Sequence, residues 1–102
     1  MRRITLILPV YNDWGSLRLL LNKIKKKIKK KILCDVLIIN DNSTSNQIER
    51  LDKESVYKNI YVINLRENIG SQKAIATGIR YISKNLSKFG KEFIILDSDG
   101  ED

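Results

Sequence analysis

Four short apolar runs separate longer segments in which apolar residues recur at steps of three and four. The runs are Ile4–Leu8, Val36–Ile39, Ile60–Ile63 and Phe93–Leu96. Each is rich in Ile, Val or Leu and lacks alternating polar residues, which is the pattern of strands buried on both faces of a sheet. The pattern therefore predicts four buried strands.

The segment from about Trp14 to Leu33 is predicted to be the first helix, with Asp13 as its N-cap. Its apolar residues fall on one stripe and leave the lysines between them facing water. That stripe consists of Leu17, Leu20, Leu21, Ile24, Ile28 and Ile32.

Two further helices are predicted between the later runs. The second extends from near Thr44, which has capping-box spacing to Gln47, to about Glu54. The third begins after Gly70 and Ser71 and ends near Gly90. Its buried positions at helical spacing are predicted to be Ile75, Gly78, Ile79, Ile82 and Leu86.

The order β-α-β-α-β-α-β predicts an α/β fold, a parallel, doubly wound, Rossmann-like sheet of about four strands and three helices. The length of 102 residues leaves room for one small domain. In such a sheet the loops at the carboxyl ends of the strands form the binding crevice, and the polar residues are concentrated in those loops. The first loop, Pro9–Asn12, has no glycine, which excludes a dinucleotide fold of the dehydrogenase type.

The formal charge of +7 is local, since seven lysines fall in one short stretch and the remainder is close to neutral. These are Lys23, Lys25, Lys26, Lys27, Lys29, Lys30 and Lys31. The stretch is interpreted as a solvated helix face or as a peripheral contact with an anionic membrane. Nucleic acid is disfavoured as a partner because no aromatic residue or arginine interleaves with the lysines.

Composition narrows the chemistry and the compartment. The chain has no histidine, which excludes Ser-His-Asp and Cys-His nucleophiles and histidine acid-base catalysis. The single cysteine, Cys34, is predicted to be a small buried residue. Because one cysteine cannot form an internal disulfide, it is compatible with a reducing compartment. The apolar start has no cleavage site for a signal peptide, and the expected location is cytoplasmic, with a peripheral position at the inner face of the membrane as an option. Any catalysis must rest on carboxylates.

Two carboxylates, Asp97 and Asp99, directly follow the fourth apolar run, with a turn at Gly100. Their hard oxygens suit Mg²⁺ or Mn²⁺, which bind diphosphates through one or two protein carboxylates. An Asp-x-Asp before glycine can equally be a turn without ligand. Likewise Asp41 can be a cap or an acceptor for a nucleobase N–H or a ribose hydroxyl. Pro9 and Tyr11 can be a rigid strand end and a core aromatic, or a platform beside a base.

Four segments taken together, in order and spacing, resemble the beginning of a family 2 glycosyltransferase of the GT-A type. They are Pro9–Asp13, Leu37–Thr44, Asn68–Gly70 with Ala74 and Gly78, and Ile95–Asp102. The resemblance covers essentially the whole chain and implies that residues 1–102 are a partial domain of this family, the half that binds a nucleotide-diphosphate sugar.

The resemblance implies a donor of the UDP, GDP or dTDP type. Pro9 and Tyr11 would lie against the nucleoside, and Asp41 would contact the base. Asn68 and Lys73 would be near the donor. Asp99 would bind the metal directly, and Asp97 would contact ribose or metal.

Departures from the family pattern are small in the loops and large in length. The family often has Asp or Glu where this chain has Asn40, and Gly where it has Asn42; Asn tolerates a left-handed backbone, so the loop is expected to keep its shape. The base that deprotonates the acceptor, a glycan or a lipid carrier, is expected beyond Asp102, so the catalytic residue is unknown.

Two hypotheses follow. The protein is a glycosyltransferase of which this chain holds the donor and metal half, or it is a non-catalytic remnant or module that needs a separate acceptor half. A regulatory phospho-acceptor domain using Asp13, Asp41 or Asp97 would need a lysine after a fifth strand, which is absent here.

Overall fold

The structure is a computed structural model, and it describes residues 2–28, 31–45 and 56–96. Within these ranges the chain is an α/β fold, as predicted. Its elements are β1 (Arg2–Val10), α1 (Trp14–Lys25), β2 (Ile32–Asn40), β3 (Asn59–Asn64), α2 (Ser71–Ser83) and β4 (Glu92–Ile95).

All four strands pair in parallel, in the order β3-β2-β1-β4. Ile7 in the centre of β1 is opposite Leu37 of β2 on one side and Ile95 of β4 on the other. The chain thus lays β2 and β3 on one side of β1 and then returns to add β4 on its other side. The direction of strand order reverses between β1 and β4.

The two helices cover opposite faces of the sheet, because successive strand residues point to opposite sides. On the α1 face, Trp14, Leu17 and Leu21 pack with inward residues of β1 and β2 such as Leu8 and Ile38. The core of the α2 face consists of Ile7, Leu37, Ile39, Ala74, Ile82 and Phe89. This arrangement confirms the doubly wound architecture.

Helix α2 approaches the sheet closely at Gly78. A Cβ at this position would lie 2.8 Å from Ile39 Cδ1 and 3.1 Å from Ile7 Cγ2. Both distances are shorter than ordinary carbon contacts of about 3.5–4.0 Å. Glycine is therefore the residue that lets the helix backbone rest on β1 and β2.

The prediction of a first helix extending to Leu33 was wrong, because α1 ends at Lys25. The Lys27 N–H donates to the Ile24 carbonyl at 2.8 Å, a tight turn that closes the helix. Ile32 and Leu33 instead belong to β2, where they are opposite Arg2 and Arg3. Pairing with β1 outweighed the helical periodicity of the lysine-rich stretch.

The structure also corrects the predicted cap of α1 and the predicted end of α2, and it does not describe most of the second predicted helix. Asp13 precedes α1, but its side chain makes no capping hydrogen bond. Helix α2 ends at Ser83, and Leu86 is 51% exposed, whereas Phe89 is buried in its place. The Asn85 side chain donates to the Tyr81 carbonyl at 2.7 Å and satisfies one carbonyl of the last turn. The second predicted helix, Thr44 to Glu54, falls largely on residues 46–55, outside the described residues.

Candidate functional site

Three loops meet at the carboxyl edge of the sheet, one after each of β1, β2 and β3. Backbone hydrogen bonds carry the ladders into these loops: the Asp41 N–H donates to the Val10 carbonyl at 2.8 Å, and the Leu65 N–H donates to the Asn40 carbonyl at 2.9 Å. On the other side of β1, the Leu96 N–H donates to the Ile7 carbonyl at 2.9 Å. These hydrogen bonds therefore hold the starts of the predicted crevice loops side by side at this edge of the sheet.

Asn12 ties the loop after β1 to the loop after β2. Its backbone N–H donates to Ser43 Oγ at 2.9 Å, and its side-chain Oδ1 accepts from the Thr44 N–H at 2.8 Å and from the Thr44 hydroxyl at 2.9 Å. Asn12 has φ +61°, a left-handed conformation that Asn tolerates better than most residues. These bonds lock the two loops together, a role that the sequence did not reveal.

The loop after β2 is shaped by two asparagines. Asn42 has φ +60°, which confirms that it can take the left-handed conformation that the family's glycine would take. The Asn40 Oδ1 accepts from the Ser43 N–H at 3.0 Å, and its Nδ2 donates to Asn64 Oδ1 at 2.9 Å. Because an amide both accepts and donates, Asn40 joins its own loop to the end of β3.

Asp41 is 2% exposed and fastens the loop that leads into α2. Its Oδ1 accepts from the Ile69 N–H at 2.8 Å, and its Oδ2 accepts from the Gly70 N–H at 2.9 Å and from Asn68 Nδ2 at 3.2 Å. Asn68 Nδ2 also lies 3.1 Å from the Asp41 carbonyl. Asp41 therefore has a structural role besides the predicted contact with a base, which stays a prediction.

The other predicted donor residues lie on this edge with different exposures. Pro9 is buried near the end of β1, whereas Tyr11, just past the strand, is 51% exposed. Lys73 is exposed in the first turn of α2. Trp14 is buried at the start of α1, and its Nε1 donates to the Ser45 carbonyl at 2.9 Å, which ties α1 to the loop after β2. An aromatic ring and a cation thus remain open to solvent beside a fixed backbone.

Asp97 and Asp99, the predicted metal ligands, lie outside the described residues, directly after Leu96. In residues 2–28, 31–45 and 56–96 no three acidic or cysteine side chains come together to hold a metal ion. The described carboxylate of the edge, Asp41, is engaged by its own loops. The assignment of Asp97 and Asp99 as ligands of Mg²⁺ or Mn²⁺ therefore stays a prediction.

The opposite edge of the sheet carries polar groups with structural roles. Asp35 is fully buried and accepts from Arg3 Nε at 2.8 Å and from Asn59 Nδ2 at 3.1 Å. Cys34 is buried as predicted, and burial together with the neighbouring Asp35 charge raises the pKa of its thiol from 9.0 to about 11. A thiol held protonated in this way is a poor nucleophile.

Comparison with known proteins decides the family. Residues 5–102 match the sequence profile described as Glycosyl transferase family 2. The chain belongs to this family. Glycosyl transferase family 2 was the predicted family, and the prediction is confirmed.

Two relatives have names that agree with this assignment. An uncharacterized glycosyltransferase of Synechocystis sp. is 26% identical over 101 residues, which cover 97% of this chain and 30% of the relative. The Bacillus subtilis protein CsbB, also named as a glycosyltransferase, is 24% identical over 98 residues, which cover 94% of this chain and 28% of that protein. The chain thus spans less than a third of the length of either relative.

No helix in the described part of this family 2 chain is long and apolar enough to cross a membrane.

Proposed function

We propose that the chain binds a nucleotide-diphosphate sugar at the carboxyl edge of the sheet, as the donor half of a glycosyl transfer to a glycan or lipid-linked acceptor. The observation that carries the proposal is the strand order β3-β2-β1-β4. In open α/β sheets, ligands bind outside the carboxyl ends of the strands where the strand order reverses, which here is between β1 and β4.

The residues predicted for the donor flank that position. The loop after β1 contributes Pro9 and Tyr11, and the exposed Tyr11 ring offers a surface on which a base could pack. On the other side of the reversal, Leu96 extends the pairing of β4 along β1, and Asp97 and Asp99 are the next acidic residues of the chain. In this proposal the nucleoside lies on the β1 side and the diphosphate on the β4 side.

Asp41, Asn68 and Lys73 complete the proposed donor site. Asp41 and Asn68 hold the loop before α2, and in the proposal Asp41 also accepts a hydrogen bond from the base. A carboxylate can accept about four hydrogen bonds, and three come from the described residues, which leaves one acceptor position for the base in this proposal. Lys73 supplies a positive charge for the donor phosphates.

Asp99, with Asp97, would hold a Mg²⁺ or Mn²⁺ ion. Such an ion, when bound, neutralises charge on the leaving diphosphate. The side chains of the chain itself orient the nucleotide, and the base that takes the acceptor proton is proposed to lie in another part of the protein.

The second candidate is a donor-binding module or non-catalytic remnant that requires a separate acceptor half. The exposed apolar side chains Phe93, Ile94 and Ile95 along β4 favour it, because they offer a surface for further protein. On this proposal the isolated chain binds nucleotide but transfers no sugar.

Thermal unfolding of the purified chain with UDP, GDP, CDP and dTDP, each with and without Mn²⁺, tests the proposed donor site. A ligand present at about a hundred times its Kd adds about 2.7 kcal/mol, which in a domain of this size raises Tm by roughly 10–20 °C. We expect one nucleotide to stabilise the chain in the presence of metal, and Asp99→Ala to abolish that shift.

The matched control is Glu92→Gln, which removes an exposed carboxylate at the opposite end of β4 and should leave the nucleotide shift unchanged. A cooperative transition that no nucleotide moves would refute the donor site. A nucleotide shift without transfer of labelled sugar to added acceptors would support the module over the complete transferase.

A further inference from the structure

The net positive charge of the chain comes from residues 14–34, which include α1. Residues 14–34 contain eight of the nineteen Lys and Arg residues and none of the twelve Asp and Glu residues. The remainder has eleven basic and twelve acidic residues, so this one segment accounts for the whole net charge. Lys23, Lys26, Lys27 and Lys31 are exposed.

The charge lies at the end of the molecule away from the proposed donor site. Helix α1 begins beside the carboxyl end of β1 and leads the chain back to the amino end of β2. Its 12 residues span about 18 Å. The lysines of its last turns are therefore near the amino edge of the sheet, where Ile24 and Ile28 line the same pocket as Ile4.

Apolar surface adjoins these lysines in two places. Leu19 is 63% exposed and precedes Lys23 and Lys26 by four and seven residues, so the three side chains share one stripe of the helix. Lys27 borders an open apolar pocket at the same end of the sheet. Other residues that line this pocket are Ile4, Leu6, Ile24, Ile28 and Ile94.

We propose that the lysine-rich end of α1, defined by Lys23, Lys26 and Lys27, is an interaction surface for a membrane that contains anionic lipids. Clustered lysines are attracted to anionic headgroups, and an exposed leucine with an apolar pocket beside them suits the adjoining acyl region. From Asn22 to Ile32 the chain has no arginine and no aromatic residue, which disfavours nucleic acid. The surface leaves the carboxyl edge of the sheet facing away from the lipid.

Vesicle co-sedimentation of the full chain tests the proposal. Vesicles of phosphatidylcholine with phosphatidylserine should bind the chain, and vesicles of phosphatidylcholine alone should not. Each lysine near an anionic surface strengthens binding about fivefold, so the triple variant K23Q/K26Q/K27Q should weaken the partition coefficient on the order of 100-fold. The variant K23R/K26R/K27R keeps the charge and should keep the binding.

The matched control is R80Q/K84Q/K91Q, which removes three exposed positive charges from α2 and the segment after it, on the other side of the molecule. It should reduce vesicle binding only slightly. Leu19→Ser should weaken binding to anionic vesicles and should leave the preference for anionic over neutral vesicles unchanged. Thermal unfolding of each variant verifies that these exposed substitutions leave the fold intact.

Ionic strength provides an independent readout. The screening length falls from about 10 Å at 0.1 M salt to about 3 Å at 1 M salt, so binding through these lysines should be lost over that interval. Equal binding to neutral and anionic vesicles, equal loss in the two triple-glutamine variants, or tighter binding to duplex RNA than to anionic vesicles would each overturn the proposal.

Discussion

Replacing Asp41 by Asn tests whether this buried carboxylate holds the loop before α2. The substitution conserves shape, but it replaces one of the two carboxylate oxygens by an amide NH₂, which cannot accept a hydrogen bond. If Oδ1 is replaced, the Ile69 N–H loses its acceptor; if Oδ2 is replaced, the Gly70 N–H and the Asn68 side chain lose theirs. Hydrogen bonds to a charged group contribute about 1.5–3 kcal/mol each, and water replaces part of the loss because Gly70 and Asn68 are exposed. We expect Asp41→Asn to lower the free energy of unfolding by about 2–4 kcal/mol.

Thermal and urea unfolding measure this loss, which corresponds to a Tm lowered by roughly 10–25 °C in a domain of this size. Asp13→Asn is the matched control, since the Asp13 side chain makes no capping bond and its substitution should stay within about 0.5 kcal/mol. Hydrogen exchange should accelerate most at the Ile69 and Gly70 amides. If Asp41→Asn and Asp13→Asn prove equally mild, the carboxylate does not anchor the loop and the reasoning fails.

The remaining predictions concern packing and burial. Gly78→Ala places a Cβ 2.8 Å from Ile39 Cδ1 and should lower the free energy of unfolding, measured in urea, by about 1–3 kcal/mol. The control Gly15→Ala meets nothing within 4 Å and should raise it by about 0.5 kcal/mol. A rise in the free energy of unfolding for Gly78→Ala would contradict the close approach of α2. The Thr5 hydroxyl is buried without a hydrogen-bond partner among the described residues, so Thr5→Val should stabilise by about 1 kcal/mol, and a loss would reveal a partner. The pKa of Cys34 is raised from 9.0 to about 11, so between these pH values the unfolded thiol ionises while the folded thiol stays protonated. The free energy of unfolding should therefore fall as the pH rises through this range, and Cys34→Ala should lack that part of the fall. Identical curves of unfolding free energy against pH for the two proteins would contradict the raised pKa.

Most of the sheet was predictable because each strand has an uninterrupted apolar centre. The prediction of four buried strands was wrong for β4, which lies at the edge of the described sheet with Phe93, Ile94 and Ile95 exposed. Strands β1, β2 and β3 are longer than their apolar runs, as Arg2–Val10 is against Ile4–Leu8. The added residues include polar ones, of which Arg3 and Asp35 pair with each other across β1 and β2. That compensation depends on a contact 32 residues apart, which a local pattern cannot show.

The end of the first helix was unpredictable for a similar reason. Lysine and isoleucine both fit a helix, and the stripe through Ile28 and Ile32 continues its period. The strand wins at Ile32 because pairing with Arg2 begins a nine-residue parallel ladder. Tertiary pairing of this extent overrides helix propensities that differ by only a few tenths of a kcal/mol per residue.

The residues of the candidate site were found in part, because motifs show which side chains follow a strand and not what those side chains contact. Asp41 was recognised as a functional candidate or a cap, and its actual partners lie 27 to 29 residues further on. The lock between Asn12 and Ser43 was missed altogether. The available signal was weak: Asn12 and Asn42 are both residues that tolerate the left-handed conformation they adopt.

The hydrogen bonds at the carboxyl edge bear on how a donor would bind. Asn12, Asn40 and Asp41 fix three loops through the protein's own groups, so a ligand need not supply the free energy of ordering them. In the proposed donor site, Asp41 would serve both stability and recognition through the acceptor position that its three described partners leave. The two roles can be measured separately. The loss of stability in Asp41→Asn without nucleotide measures the anchoring of the loop, whereas the change in the nucleotide-dependent Tm shift measures the proposed contact with the base. A variant that is destabilised yet keeps the full nucleotide shift would assign Asp41 to the loop alone.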